Sequence, residues 1–177
     1  MILYRLALGE YAEDLSGEGA RRDGGRWNTP GVAVVYTSEN IPLAVLETLV
    51  NVPQEFLSEN PLLFHKVSIT VPDDASIQVV DTLPDDWQSC PPPASLARIG
   101  YQWSKENKTL LLKVPSAVAG EGNWNYLINP LHSQFKTVRI IHHEPFRFDA
   151  RLIKADKPEP IDFESRSRKI RARKKKS

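Results

Sequence analysis

The sequence predicts a single mixed α+β domain, and three observations lead to this prediction. The chain has 177 residues, of which 41% are hydrophobic and 25% charged, as in one ordinary globular domain. Short apolar runs typical of strands recur along it, whereas only two segments show the pattern of a helix. Fourteen prolines and nine glycines separate these pieces by turns. Their order does not follow the regular strand–helix alternation of a doubly wound fold.

Six runs are predicted strands: 2–6, 32–37, 64–71, 77–80, 110–114 and 138–142, with a short seventh at 146–148. In the third run apolar and polar residues alternate, which indicates a strand with one exposed face. One helix is predicted over about 40–51, with Ser38 or Asn40 as its N-cap. A second helix is predicted over about 94–106, where it follows three prolines.

Charge divides the chain near residue 164. Residues 165–177 hold eight basic residues and no acid, which leaves 15 basic against 22 acidic residues in 1–164, or about −7. Because like charges repel, we predict a domain over 1–164 and a disordered basic tail over 165–177. A merely solvated tail and a tail that attracts nucleic acid, an acidic partner or the acidic body of the chain itself are both open interpretations.

The beginning of the sequence and its single cysteine bear on the compartment. The first residues have no basic region of the kind that starts a secretory signal, and no apolar run approaches the roughly 20 residues of a membrane span. One cysteine excludes an internal disulfide and fits a reducing compartment. We therefore expect a cytoplasmic protein with no membrane contact.

Several common motifs are missing from the sequence. There is no GxGxxG after a strand and no GxxxxGK[ST], which excludes the Rossmann and P-loop fingerprints. His142, His143 and Glu144, with His132, form the one suggestive metal set, but adjacent strand residues point to opposite faces. We therefore predict no metal site. GxSxG is also missing, and Ser116 follows a proline instead of standing in a nucleophile elbow.

Glu47 is a candidate functional residue because it lies at the edge of an apolar helix stripe. Leu43, Leu46 and Val50 define the stripe, and Glu47 lies about 40° from Leu43 around the helix axis. A carboxylate among core positions costs free energy unless it is paired, and such groups concentrate at functional sites. The alternative is an edge glutamate that bends towards solvent.

Residues 24–28, GGRWN, form a second candidate segment. Arg26 stands between a flexible glycine pair and the pair Trp27 and Asn28. Glycine lets a backbone approach a ligand closely, and the fork of a guanidinium suits phosphate or carboxylate. Taken alone, the segment also fits an ordinary turn with a surface arginine.

Four further polar or aromatic residues stand at ends of predicted elements. Tyr36 ends the strand before the Glu47 helix, where its ring would cap the same cleft, and ordinary packing is the equal alternative. Ser116 follows a strand and offers a hydroxyl there, or serves as a turn or helix-cap residue. Asn125 and Asn129, in NWNYLINP, fit ligand-binding and turn-forming roles equally.

These motifs in this order resemble the RES domain, the toxin half of bacterial Xre–RES toxin–antitoxin pairs. The matching segments are YRL at 4–6, GGRWN at 24–28, VYTSE at 35–39, LAVLETLV at 43–50, VPSAV at 114–118, NYLINPLH at 125–132 and FRFDARL at 146–152. They cover nearly the whole chain except the basic tail, to which the resemblance assigns nothing. It implies an ADP-ribosyltransferase-like fold, NAD+ as substrate, and no cofactor.

The resemblance also implies roles for individual residues. The Arg, Glu and Ser for which the family is named fall on Arg26, Glu47 and Ser116, which are the predicted catalytic residues. The predicted substrate-binding residues are Arg26, Trp27, Asn28, Tyr36, Ser116, Asn125 and Asn129. His132 lies in the same family block, where this chain has Ser133 in place of a common proline.

The chemistry that the resemblance implies fits these residue types. Cleavage of the nicotinamide–ribose bond develops positive charge on the ribose, which the Glu47 carboxylate would stabilise. Arg26 would neutralise the pyrophosphate or orient the carboxamide, Tyr36 would face the nicotinamide ring, and Ser116 would hydrogen-bond to the ribose or nicotinamide. The acceptor is open: it can be water, inorganic phosphate or a protein side chain.

We therefore predict an enzyme, an NAD+ glycohydrolase or phosphorylase that depletes NAD+ and arrests growth. An ADP-ribosyltransferase that modifies a host protein and a non-catalytic binding module are the alternatives. The partners that the resemblance implies are NAD+, an Xre-type antitoxin that occludes the active site, and a second copy of the chain in a homodimer. DNA would be reached only through the antitoxin.

Overall fold

The fold is described from a computed structural model over residues 1–60 and 62–153. Its strands are β1 (Ile2–Leu8), β2 (Val35–Ser38), β3 (Phe64–Thr70), β4 (Ile77–Val79), β5 (Leu111–Ser116), β6 (Gly120–Ile128) and β7 (Arg139–Pro145). Its helices are α1 (Glu18–Asp23), α2 (Ile41–Asn51), α3 (Gln54–Glu59) and α4 (Ala94–Glu106). The predicted tail, 165–177, and its boundary at 164 lie outside the described residues.

The seven strands form one mixed sheet in the order β4-β5-β6-β2-β1-β3-β7. Only β4 and β5 pair in parallel. β1 pairs with β3 along all seven of its residues, whereas β1 and β2 pair only at Tyr4 and Ser38. The sheet therefore has a seam in its centre, between β1 and β2, where the strands separate. The predicted class, a single mixed α+β domain, is confirmed.

Apolar clusters on both faces of the sheet hold the domain together. On β5, Leu111 packs on one face with Leu3 and Val67, while Leu112 packs on the other face with Trp103 of α4. Burial on both faces explains the uninterrupted leucines at 110–112, because a half-exposed strand would alternate with polar residues. Each fully buried leucine contributes about 1.5–3 kcal/mol relative to an exposed one.

Helix α2 begins where the sequence predicted. The Asn40 side chain accepts a hydrogen bond from the backbone N–H of Leu43 at 2.9 Å and so caps the helix. Leu43 and Ala44 are buried, but Val50 is 56% exposed. The predicted apolar stripe is therefore wrong at Val50, which lines an open cleft instead of packing on the core, whereas its neighbour Leu49 does pack on the core.

The structure also contains a strand that the sequence analysis did not predict. β6 begins with glycines and polar residues, a composition that favours a turn, yet it pairs with β5 and, over its last four residues, with β2. Asn125 thus lies on a strand. The predicted strand at 146–148 is wrong, because Phe146 and Phe148 follow the end of β7 and pack edge-to-face on each other, with Phe148 packed in the same way on Phe64.

Gly100 of α4 is expected to be essential for packing. A Cβ atom there would lie 1.6 Å from the carbonyl oxygen of Trp27, so Gly100→Ala forces the helix and the 24–28 turn apart. We expect the free energy of unfolding to fall by about 1–3 kcal/mol, which thermal unfolding measures. Gly19→Ala in α1 is the control, since its Cβ would meet no atom within 4 Å. An unchanged melting temperature for Gly100→Ala would contradict this packing.

Candidate active site

A cleft lies between α2 and the sheet, and part of it lies at the seam where β1 and β2 separate. It has a small chamber of about 250 Å³ and a large chamber of about 510 Å³. Tyr36, Glu47, Asn51 and Asn125 line both chambers, so the chambers meet at these four residues. The sequence analysis named three of the four. Asn51 was missed, although it stands one turn after Glu47 on the same helix face.

Two side chains from the sheet hold the Glu47 carboxylate. Ser116 Oγ donates to Glu47 Oε1 at 2.7 Å, and Asn125 Nδ2 donates to the same oxygen at 2.5 Å. Among the described residues, neither a hydrogen bond to Glu47 Oε2 nor an ion pair with this carboxylate is found. One oxygen therefore orients the group, while the other is available to a ligand and the negative charge is not neutralised.

Ser116 lies behind Glu47 and is fully buried. Its hydroxyl donates to Glu47 and accepts from the backbone N–H of Ala119 at 3.0 Å. A bulge between Pro115 and Ser116 changes the register of β5 and β6 at this point, and bulges commonly redirect a side chain beside a functional site. Ser116 thus contacts the carboxylate and does not line either chamber.

Tyr36 presents its ring to the cleft and uses its hydroxyl to hold the 24–28 turn. The hydroxyl donates to Asn28 Oδ1 at 2.8 Å and accepts from the backbone N–H of Trp27 at 3.0 Å. Burial raises the pKa of the Tyr36 phenol well above its usual range, so the group stays protonated. Gly25 is required beside it, since a Cβ there would lie 2.7 Å from the hydroxyl oxygen.

Arg26 lines the large chamber and binds the segment that forms its far wall. Its guanidinium donates to the backbone oxygen of Trp87 at 2.7 Å and to that of Ser89 at 3.2 Å. Gln88 and Cys90 of this segment also line the large chamber. A guanidinium has five N–H donors, so Arg26 retains donors for a ligand while it fixes the wall.

Three other predicted binding residues, Trp27, Asn28 and Asn129, are buried and make contacts within the protein. Trp27 is buried in the cluster with Trp103, although it also lines the large chamber. The Asn28 amide is buried and donates to the backbone oxygens of Ala20 and Val32. Asn129 is buried at the end of β6 and donates to Asn107 Oδ1 at 2.8 Å. The structure does not bring Asn28 or Asn129 to the wall of either chamber.

Arg5, which the sequence analysis did not select, lies in the wall of the small chamber. Its Nη2 donates to the backbone oxygens of Tyr11 and Asp14. Its Nε is buried without a hydrogen-bond partner in the part of the chain that the structure describes. Burial lowers the pKa of this guanidinium, an effect that the nearby Asp14 opposes. One signal in the sequence could have identified it. Arg5 stands two residues after Leu3, and residues two apart on a strand point to the same face, which is here the buried side of β1.

Residues 1–60 and 62–153 hold neither a metal-binding cluster nor a membrane-spanning helix. Within these ranges no group of three or more His, Cys, Asp or Glu side chains is placed to hold a metal ion. Among the predicted set, the His143 ring stacks on His65, and His142 lies 3.4 Å from Glu144. No helix in the same ranges is long and apolar enough to cross a membrane.

The fold matches a known toxin–antitoxin structure. One chain of the crystal structure of the M. tuberculosis MbcT–MbcA toxin–antitoxin complex superposes with a TM-score of 0.68 at 18% sequence identity, over 82% of this chain and 84% of that chain. At this level of identity the likeness concerns the fold.

The family follows from sequence comparison. The RES domain matches residues 2–149, and the chain belongs to this family. It is 39% identical to Toxin Res of Photorhabdus laumondii, over 89% of this chain and all of that protein. It is 38% identical to the Prs ADP-ribosylating toxin of Sphingobium sp., over 81% of this chain and 89% of that protein. The predicted resemblance to RES toxins of toxin–antitoxin systems is confirmed.

Removal of the Tyr36 hydroxyl is expected to weaken the domain. Tyr36→Phe leaves Asn28 Oδ1 and the N–H of Trp27 without partners, which costs about 1–3 kcal/mol and lowers the urea midpoint. Above about pH 10 the tyrosine of the unfolded chain ionises while the buried phenol does not, so the wild-type protein loses stability there. The difference in urea midpoint between the wild-type and Tyr36→Phe proteins therefore narrows above that pH. Equal midpoints at pH 7 would contradict this role.

Loss of the Arg26 guanidinium is expected to loosen the wall of the large chamber. Arg26→Ala removes both hydrogen bonds to the segment around Ser89, so amide hydrogen exchange over residues 86–90 should rise. Arg26→Lys should not restore protection, because an ammonium lacks the planar fork that reaches two carbonyls. Arg98→Ala, an exposed change on α4, is the control. Unaltered exchange in Arg26→Ala would show that the wall is held by other contacts.

Proposed function

We propose that this RES toxin cleaves NAD+ at the bond between nicotinamide and ribose, and that loss of NAD+ arrests growth. The observation that carries the proposal is the position of Glu47. It lies where the two chambers meet, with one carboxylate oxygen fixed by Ser116 and Asn125 and the other available to a ligand. A fixed negative charge at that point suits a reaction in which positive charge develops on the substrate.

The chemistry of the proposed reaction explains why the carboxylate is held so firmly. As the bond to nicotinamide breaks, the ribose acquires oxocarbenium character. It therefore gains a positive charge that it does not carry before the reaction. A carboxylate that is already oriented needs no reorganisation when this charge appears. Glu47 Oε2 would face the ribose and accept a hydrogen bond from one of its hydroxyls, while Oε1 stays on Ser116 and Asn125.

The division of the cleft suits the two parts of the dinucleotide. Nicotinamide is a single ring with a carboxamide, which fits the small chamber beside the Tyr36 ring. The ADP-ribose part is much larger and charged, and fits the large chamber, where Arg26 is available to the pyrophosphate. Arg5 also lies in the wall of the small chamber. The scissile bond would then lie beside Glu47.

The names of the relatives support a toxin, and one of them also names a reaction. Three curated relatives are called Toxin Res, whereas the Sphingobium relative is called the Prs ADP-ribosylating toxin. Transfer of ADP-ribose to a protein is therefore the second candidate function. Both functions use the same cleavage step, so they share the Glu47 site and differ only in what attacks the ribose.

The structural neighbour supports an antitoxin as partner, because it comes from a toxin–antitoxin complex. We propose that the antitoxin is of the Xre type and occludes the cleft. Further parts of the proposal are a cytoplasmic location, self-association as a homodimer, and contact with DNA only through the antitoxin.

Glu47→Gln is expected to abolish release of nicotinamide. The variant keeps the size of the side chain but removes the negative charge, so the turnover number should fall by at least about 100-fold. The turnover number is measured by incubating the pure protein with NAD+ and quantifying the released nicotinamide by chromatography. Glu39→Gln is a matched control. Glu39 follows the end of β2, accepts a hydrogen bond from the backbone N–H of Trp124, and lies in neither chamber wall. Wild-type turnover in Glu47→Gln would remove this carboxylate from the mechanism.

The acceptor is identified by the products that form from NAD+. We expect nicotinamide together with free ADP-ribose in plain buffer, and ADP-ribose-1″-phosphate in addition if the enzyme uses inorganic phosphate. Mass spectrometry of the small molecules distinguishes these products. Label from adenine-labelled NAD+ that stays on a protein band, with no free ADP-ribose, would instead identify the transferase.

A further inference from the structure

We infer that Ser38 is a positioning residue of the proposed reaction, and that it acts through Asn125. This inference rests on the proposed function. Ser38 is the last residue of β2 and stands directly opposite Asn125 on β6. It is buried, with 4% of its surface exposed. Its hydroxyl donates to Asn125 Oδ1 at 2.7 Å, while the other end of the same amide donates to Glu47.

The direction of each hydrogen bond explains what Ser38 does. An asparagine amide has a donor end and an acceptor end, and Glu47 needs the donor end. Turning the amide over would place Asn125 Oδ1 against the carboxylate, oxygen against oxygen. Ser38 donates to the acceptor end where it lies. A reversed amide could still donate to the Ser38 oxygen but would have no donor for its own oxygen at Glu47, so both ends have partners only in the orientation that serves Glu47.

Ser116, the other donor to Glu47, is held in an equivalent way. Its oxygen accepts from the backbone N–H of Ala119, so its own proton is directed to the carboxylate. Each of the two donors to Glu47 is therefore oriented by a third group. For Ser116 that group is backbone, which substitution does not remove, but for Asn125 it is the Ser38 side chain, which substitution does remove.

Without the Ser38 hydroxyl, Asn125 Oδ1 loses its donor in the buried part of the cleft wall. A buried acceptor without a partner is costly, so the amide would shift to find another donor and the carboxylate would lose its fixed position. Small misplacements of a catalytic group lower the rate of the chemical step far more than they weaken substrate binding. The turnover number should therefore fall while KM for NAD+ changes little.

The test compares Ser38→Ala with the wild-type protein by nicotinamide release and thermal unfolding. We expect kcat to fall about 10-fold or more and KM to stay within about 2-fold of the wild-type value. Ser38→Thr, which keeps the hydroxyl, should recover most of kcat. Ser76→Ala is the matched control: Ser76 also donates to a side-chain amide oxygen, Gln134 Oε1 at 2.6 Å, but lies outside the cleft. It should leave kcat unchanged.

A second measurement separates action through Asn125 from direct action on the substrate. In an Asn125→Ala background, Ser38→Ala should cause no further loss of kcat, because the residue through which it acts is gone. Equal losses in both backgrounds, or wild-type kcat in Ser38→Ala alone, would overturn the inference. If Ser38→Ala does not fold, Ser38→Cys, whose thiol is a weaker donor, must show the loss instead. A wild-type protein that releases no nicotinamide would refute the proposed function itself.

Discussion

The pair of hydrogen bonds on Glu47 Oε1 is the interaction on which the architecture of the cleft depends. Glu47 belongs to α2, whereas Ser116 and Asn125 belong to β5 and β6. The two bonds therefore tie the helix to the half of the sheet that lies beyond the seam. They also leave a charged oxygen between two chambers. A structural tie and the group to which we assign the proposed chemistry are thus combined in one carboxylate.

Part of the cleft exists because the sheet does not close along the seam. β1 is paired fully with β3, and β2 mainly with β6, so each half has its own strand ladder and the halves meet at one pair of residues. The small chamber occupies that gap, and the large chamber lies on the other side of Tyr36 and Asn125. Their walls are fixed by contacts distant in sequence: α4 packs on Trp27 through Gly100, Tyr36 holds the 24–28 turn, and Arg26 holds the segment around Ser89.

The sequence predicts the fold class, helices α2 and α4 and the place of Glu47 in the cleft wall, because these rest on local patterns. A carboxylate beside apolar helix positions is visible without a structure. The hydrogen bond from Asn125 to Glu47 is not visible from the sequence, since β6 has the composition of a turn and becomes a strand only through its neighbours β5 and β2. Arg5 was recognisable on the buried side of β1 but was not selected. The exposure of Val50 was not predicted because it depends on the large chamber, whose other walls are distant in sequence.

A crystal structure of the Glu47→Gln protein with NAD+ tests the central claim most directly, because the variant should bind the dinucleotide without consuming it. The account predicts nicotinamide in the small chamber, ADP-ribose in the large chamber along Arg26, and the bond between them beside residue 47. NAD+ bound with that bond away from residue 47, or excluded from the cleft at saturating concentration, would contradict the account.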